Sequence, residues 1–387
     1  MNVKREWLPE GKLLGMRMRV SLLVFVCAAV GFSAGAQKKE KNLPPADFKV
    51  GVTSRVFHPK AKRNWRGAQH QELQVTVWYP AAENAVETQQ MIGSPDAPLF
   101  LAGKAAEHAA MAPALEARPL IVLSHGTGGS AMQMAWLGTA LARAGFIAAA
   151  VNHPGNNALE PYTAEGFVLW WERATDLSEV IDGMLADPEF GPKIDKDRIG
   201  AAGFSIGGYT VLALGGARAD ISVILDLCKQ KPDTVVCHVP EMKEMGTPDQ
   251  MLAAARKTSG ASLASSNESY QDPRVRAIFA IAPAVGMTLT HESLHSMRVP
   301  VHIVVGSADP IATPKDNADL IRSQIRGAKE TVLPNVAHYT FLDACTAGGK
   351  QQLGVFCVDP PGVDREAVHA QVDEIAVEFF GRELRVR

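Results

Sequence analysis

An α/β fold with a mostly parallel central sheet flanked by helices is what this sequence predicts, and three observations carry it. Short, almost continuously apolar runs at residues 119–123, 146–151, 199–204, 277–281 and 299–305 read as strands buried on both faces. Helical patterns at 131–144, 172–185, 207–215 and 315–325 fall between them, and such alternation implies parallel pairing through right-handed crossovers. The composition, 47% hydrophobic and 21% charged, is that of an ordinary folded globular chain with a core to bury.

Taken in order, the chain opens with Arg17 and Arg19 ahead of an apolar run at 20–32, followed by Ala34-Gly35-Ala36. A basic stretch, a short apolar core and an A-x-A site predict a secretory signal peptide over residues 1–36, cut after Ala36. The run is too short to span a bilayer comfortably. Phe25-Val26 ahead of Cys27 lacks the small residues of a lipidation site. Residues 37–47 read as an exit linker. Segments 48–57 and 71–79 carry β-branched and aromatic residues and predict two antiparallel strands, and the Ala-, Pro- and Gly-rich stretch 80–118 predicts a surface insertion. The alternating α/β region then starts at Pro119.

Residues 220–271 interrupt that alternation, turning polar after an apolar start and holding two cysteines. An insertion at this point lies above the strand C-termini, where such sheets bind ligands, and is expected to be a lid. A short strand at 331–333 follows. The last helix is expected at 365–384, with Val368, Val372, Ile375, Ala376, Phe379 and Phe380 facing the sheet. The expected organisation is therefore a signal peptide, a linker, and one α/β domain over 48–387 with its lid.

Charge and cysteines narrow the functional classes. A formal net charge of −2 gives no basic excess for nucleic acid or anionic membranes. No later segment is apolar enough to span a bilayer, so no stable membrane anchor is expected. Removing residues 1–36 leaves Cys228, Cys237, Cys345 and Cys357. An even count in an exported chain favours disulfides; of three possible pairings, proximity favours Cys228–Cys237 and Cys345–Cys357. A zinc site using His238 beside Cys237 would lack any CxxC pair.

The chemistry concentrates at three places. Gly203-Phe-Ser205-Ile-Gly207 matches G-x-S-x-G between an apolar strand and a helix, which makes Ser205 the candidate nucleophile on a strained turn. Glycines are needed because a Cβ two residues either side of the serine would clash in so tight a turn. Ser124-His-Gly-Thr127-Gly-Gly129 follows the first strongly buried strand, and its backbone amides can face an oxyanion. Thr127 is favoured as one donor, with Gly126 next, and Ile206, after the nucleophile, as the other. Asp309 follows the strand at 299–305, and His338 comes later still, so acid and base stand in the order Ser205, Asp309, His338.

These residues resemble those of the α/β-hydrolase superfamily, and within it the dienelactone-hydrolase-like and platelet-activating-factor-acetylhydrolase-like proteins. The resemblance runs from about Phe48 to the C-terminus. It rests on the loop at 124–129, Val151-Asn-His-Pro-Gly-Asn156, the Ser205 elbow, Gly306-Ser-Ala-Asp309 and residues 337–342. It implies an eight-stranded sheet, a Ser-His-Asp triad and no cofactor. Dienelactone hydrolases carry cysteine at the elbow, so the serine here argues against dienelactone as substrate.

The expected activity is hydrolysis of small-molecule carboxylic esters with short acyl groups, by an exported enzyme. Two other classes compete. A binding module that kept the pocket and lost the chemistry would show a broken triad. A zinc hydrolase would use His291-Glu292-Ser293-Leu294-His295, which matches H-E-x-x-H but has no obvious third ligand. His125 reads as a structural histidine of its loop, and His153 as shaping the pocket rim. The apolar stretch Phe167-Val-Leu-Trp-Trp171 is expected either on the alcohol side of the pocket or in the core.

Overall fold

The computed structural model describes residues 47–113 and 117–384. The expected signal peptide and almost all of the linker lie outside these. The strands are β1 (Lys49–Phe57), β2 (Leu73–Ala81), β3 (Thr88–Ser94), β4 (Ala97–Glu107), β5 (Arg118–Ser124), β6 (Ile147–Val151), β7 (Ile194–Phe204), β8 (Val275–Ile281), β9 (Val301–Gly306), β10 (Lys329–Leu333) and β11 (Ala344–Cys345). They form one sheet in the order β10-β9-β8-β7-β5-β6-β2-β1-β4-β11, with β3 paired to β4. From β6 through β5 to β10 the pairing is parallel, while β1, β2 and β6 pair antiparallel.

The middles of the central strands are nearly continuously apolar because both faces are covered. In β5, Leu120 and Val122 join the core on one face and Ile121 and Leu123 the core on the other, as a period of two requires. Helices Glu172–Ala186 and Ile206–Leu214 supply Leu177, Val180, Ile181, Val211 and Leu212 to the first core. Helices Ala135–Arg143 and Arg365–Glu383 cover the second with Trp136, Leu141, Val372 and Phe380.

Two expectations need correcting. Residues 80–118 are not a loop-like insertion: they contain the β3–β4 hairpin, and β4 extends the sheet beyond β1. β3 is largely exposed and most of β4 is only partly buried, with Lys104 and Glu107 within it, so neither gives the continuous apolar run that marks a central strand. β3, β4 and β11 are also the excess over the eight strands that the resemblance implies. β7 begins at Ile194, five residues before its apolar run, because Asp195, Lys196 and Asp197 protrude from the core.

Between the elbow helix and β8 the chain makes helices Ser222–Gln230, Pro248–Thr258 and Gly260–Ala264. Thr247 caps the second of these with a capping box, its hydroxyl accepting from the Gln250 amide while the Gln250 side chain accepts from the Thr247 amide. Cys228 is joined to Cys237 and Cys345 to Cys357, with Cα atoms 5.7 and 5.9 Å apart, the pairing that proximity favoured. Two disulfides fit an oxidising compartment. Among the described residues no helix is long and apolar enough to cross a membrane.

Candidate active site

Ser205 stands between the end of β7 and helix Ile206–Leu214 with φ 58° and ψ −120°, a conformation non-glycine residues rarely adopt. The flanking glycines have a measurable reason to be there. A Cβ on Gly203 would sit 2.2 Å from the Gly207 carbonyl oxygen, and one on Gly207 would sit 2.0 Å from that of Ser124. The Ser205 amide donates to the Ile281 carbonyl and its own carbonyl accepts from Ala284, so β8 and the loop after it pin the strained residue.

His338 begins a short 3-10 turn after β10, and Asp309 lies three residues past β9. The structure brings both to Ser205. The serine hydroxyl is 2.9 Å from His338 Nε2, and His338 Nδ1 is 2.7 Å from Asp309 Oδ2. Asp309 Oδ1 accepts from the amides of Ile311 and Ala312, which fixes the carboxylate and leaves Oδ2 for the ring. With Nδ1–H donating to Asp309, His338 Nε2 is the acceptor for the serine proton. Phe204 packs against the imidazole, ring centres 4.9 Å apart.

The loop at 124–129 is held from beneath. Gly126 donates its amide to Gln133 Oε1 and Gly128 donates to Asn156 Oδ1, so the amides on both sides of Thr127 are taken. Thr127 and Ile206 line the same cavity as Ser205 and His338.

Under that loop lies a second string of the same kind, which sequence reasoning did not connect. Ser124 Oγ is 2.8 Å from His153 Nε2, and His153 Nδ1 is 2.7 Å from Asp176 Oδ2. Its geometry is that of a plausible triad, but all three residues are fully buried, and Ser124 is the last residue of β5. Burial, reinforced by neighbouring Arg173, holds His153 down at about 3, far from the range in which a general base works. Arg66 donates to Asp176 (2.6 Å), Arg63 also pairs with it, and Arg173 donates to the His125 carbonyl and to Asn156 Oδ1 (3.3 Å). The string and its arginines thus brace residues 124–128 from inside. His153 is correspondingly not at the pocket rim as expected: it is enclosed, because its ring serves Ser124 and Asp176. His125 is structural, its Nδ1 bonded to the Gly126 carbonyl and its Nε2 accepting from the His153 amide. The signal that could have found this network is Arg173 and Asp176, opposite charges three residues apart on the buried, otherwise apolar face of that helix.

Ser205 opens into an apolar cavity of about 120 Å³. Phe167, Val168 and Trp170 form one wall, and Ile224, Val236 and Met251 from the 222–258 segment form the roof. Trp171 divides from its neighbour: it is wholly buried and donates to Ser262 Oγ (3.3 Å). The roof also brings Glu241 to the site, where its carboxylate accepts from the Tyr339 hydroxyl at 3.2 Å. Burial pushes the Glu241 carboxyl upward. His291 and His295 do stack on one helix face, 5.9 Å apart, while Glu292 pairs with Arg218 at 3.4 Å. Among the described residues no group of three or more His, Cys, Asp or Glu is gathered to hold a metal.

Comparison with known proteins agrees with the fold. A family model described as "Alpha/beta hydrolase family" matches residues 121–348, and one described as "Platelet-activating factor acetylhydrolase, isoform II" matches residues 47–168. "Lipase 1" of Moraxella sp. (strain TA144) is 30% identical over 118 residues, 30% of this chain and 32% of the lipase, so the match spans about a third of that protein. The solved structure of a ferulic acid esterase from Streptomyces cinnamoneus superposes with a TM-score of 0.57 at 22% identity, covering 89% of this chain and 93% of that one.

Proposed function

Because the chain belongs to the alpha/beta hydrolase family, we propose that it is a serine esterase with Ser205 as nucleophile, His338 as base and Asp309 as the acid that orients it. The observation that carries this reading is the hydrogen-bonded run from Ser205 through His338 to Asp309 at the mouth of an apolar cavity. Ser205 Oγ attacks the ester carbonyl as His338 Nε2 takes its proton; the imidazolium then protonates the leaving alcohol. The tetrahedral oxyanion is received by the amides of Thr127 and Ile206, each such donor contributing about 3 kcal/mol. The engagement of the Gly126 amide by Gln133 supports Thr127 over Gly126. Water then releases the acyl group by the same base.

The 220–271 segment acts as the lid, and the volume under it supports short acyl groups. A series of p-nitrophenyl esters tests this. kcat/KM should peak between acetyl and butyryl and fall by at least about tenfold toward palmitoyl, since that ratio reports transition-state discrimination. A maximum at long chains would overturn the short-acyl assignment.

Export completes the proposal, supported by the two disulfides and the basic-apolar-small pattern of residues 17–36. The mature protein is expected to start at Gln37 and to carry no alkylatable thiol before reduction. Intact mass before and after reduction decides it; four thiols in the native exported protein would refute the disulfides.

A further inference from the structure

A second cavity, of about 330 Å³, meets Ser205 beside the apolar one. Three residues line both: Ser205 from the elbow, Thr127 from the loop at 124–129, and Glu241 from the roof. Glu241 is the middle residue of the 3-10 turn Pro240–Met242, and the residues around it divide between the two volumes. Val239 and Met242 line the apolar cavity, whereas Pro240 lines the second, together with Leu99, Phe100, Leu353 and Phe356. The turn is therefore a partition, with the Glu241 side chain on the dividing line.

The bonds that hold this partition are unevenly placed. Among the described residues, most hydrogen bonds from residues 220–271 to the rest of the domain reach Asn64 or residues 165–172. Ser259 accepts from Asn64 (3.1 Å), Thr258 donates to Glu165, and Ser262 accepts from Trp171 (3.3 Å) and donates to Glu172. The Asp220 amide donates to the Thr288 carbonyl (2.8 Å) at the root of the segment. Toward the turn that carries His338 there is a single bond, from the Tyr339 hydroxyl to Glu241 (3.2 Å). Both of its partners are stiffened. Cys237, four residues before Glu241, is tied to Cys228 on helix Ser222–Gln230. The Tyr339 ring packs on Phe356, centres 4.8 Å apart, in the turn that Cys345–Cys357 closes. A carboxyl accepts from a hydroxyl whether or not it is ionised, so the burial that pushes the Glu241 carboxyl upward leaves this bond intact.

We propose that Glu241 is a specificity-determining residue: latched to Tyr339, it keeps the two cavities apart and confines the acyl group to the smaller one. The proposal rests on the reading of Ser205 as an esterase nucleophile. The alcohol portion then lies in the second cavity, whose aromatic and aliphatic walls suit an apolar alcohol. Without the Glu241 side chain the two volumes join at Ser205, and an acyl chain too long for the first can bend into the second. Glu241 acts here as a barrier held by a hydrogen bond, so a carboxamide in its place should serve as well.

Hydrolysis of methyl butyrate and methyl octanoate by the mature protein, followed in a pH-stat, tests this; the methyl group leaves the second cavity open to a chain. Glu241→Ala should raise the octanoate-to-butyrate ratio of kcat/KM by about tenfold over wild type, the low end of the discrimination an apolar pocket achieves for one methylene. Tyr339→Phe keeps the ring packing and loses the bond, and should raise the ratio by about fivefold, the effect of one neutral hydrogen bond. Glu241→Gln should keep the wild-type ratio, because its amide oxygen can still accept from Tyr339. An unchanged ratio in a folded Glu241→Ala protein would overturn the partition. Glu241→Gln behaving like Glu241→Ala would overturn the latch and leave charge as the cause. If Glu241→Ala does not fold, the ratio in Tyr339→Phe decides. Failure of the esterase reading itself looks different: wild type cleaves neither ester, and a fluorophosphonate leaves Ser205 unmodified.

Discussion

Ser205→Ala is expected to lower kcat for a short-chain ester by about a millionfold, to the residual rate that binding and the oxyanion amides alone sustain. The hydroxyl is the only atom lost. The strained turn is held by the backbone bonds of Ser205 to Ile281 and Ala284, which alanine keeps. Circular dichroism should therefore be unchanged while a fluorophosphonate probe labels wild type and fails on the variant. Labelling that persists at another serine, Ser124 included, would sink the assignment.

His338→Ala should be nearly as damaging, whereas Asp309→Asn should cost about ten-thousandfold in kcat. The lesser loss has a geometric reason. Asn can keep its oxygen on the Ile311 and Ala312 amides, so the loop stays in place. Its amide nitrogen then faces His338 Nδ1 where an acceptor stood, and the ring turns to the tautomer whose Nε2 carries a proton. Steady-state kinetics of both variants measure the gradient. Full activity in Asp309→Asn would move the acid to another strand end.

Much of this was legible in the sequence because the central strands have nearly continuous apolar middles and the elbow is dictated by contact. Gly203 and Gly207 are fixed by carbonyl oxygens that leave no room for a Cβ, so this contact is written directly in the residue types. The edge hairpin was not legible: Thr88–Ser94 is polar and mostly exposed, so it lacks the pattern that burial imposes. Nor was the inner string, because Ser124, His153 and Asp176 sit in separate elements and only the tertiary fold closes the distance. Gln133 and Glu241 carry no local signal. Each acquires its contact from what the loop or the roof brings opposite it.

The two Ser-His-Asp strings, matched within 0.1 Å in each hydrogen bond, make the molecule its own control experiment. One ends on a strained turn at a cavity; the other ends at the fully buried last residue of a strand, with Arg173 within 3.4 Å of its serine. Nature has here varied access and electrostatic surroundings while holding bond geometry fixed. Spacing between three side chains therefore cannot by itself define a nucleophile. On the proposed reading, what separates the two copies is whether a carbonyl carbon can arrive.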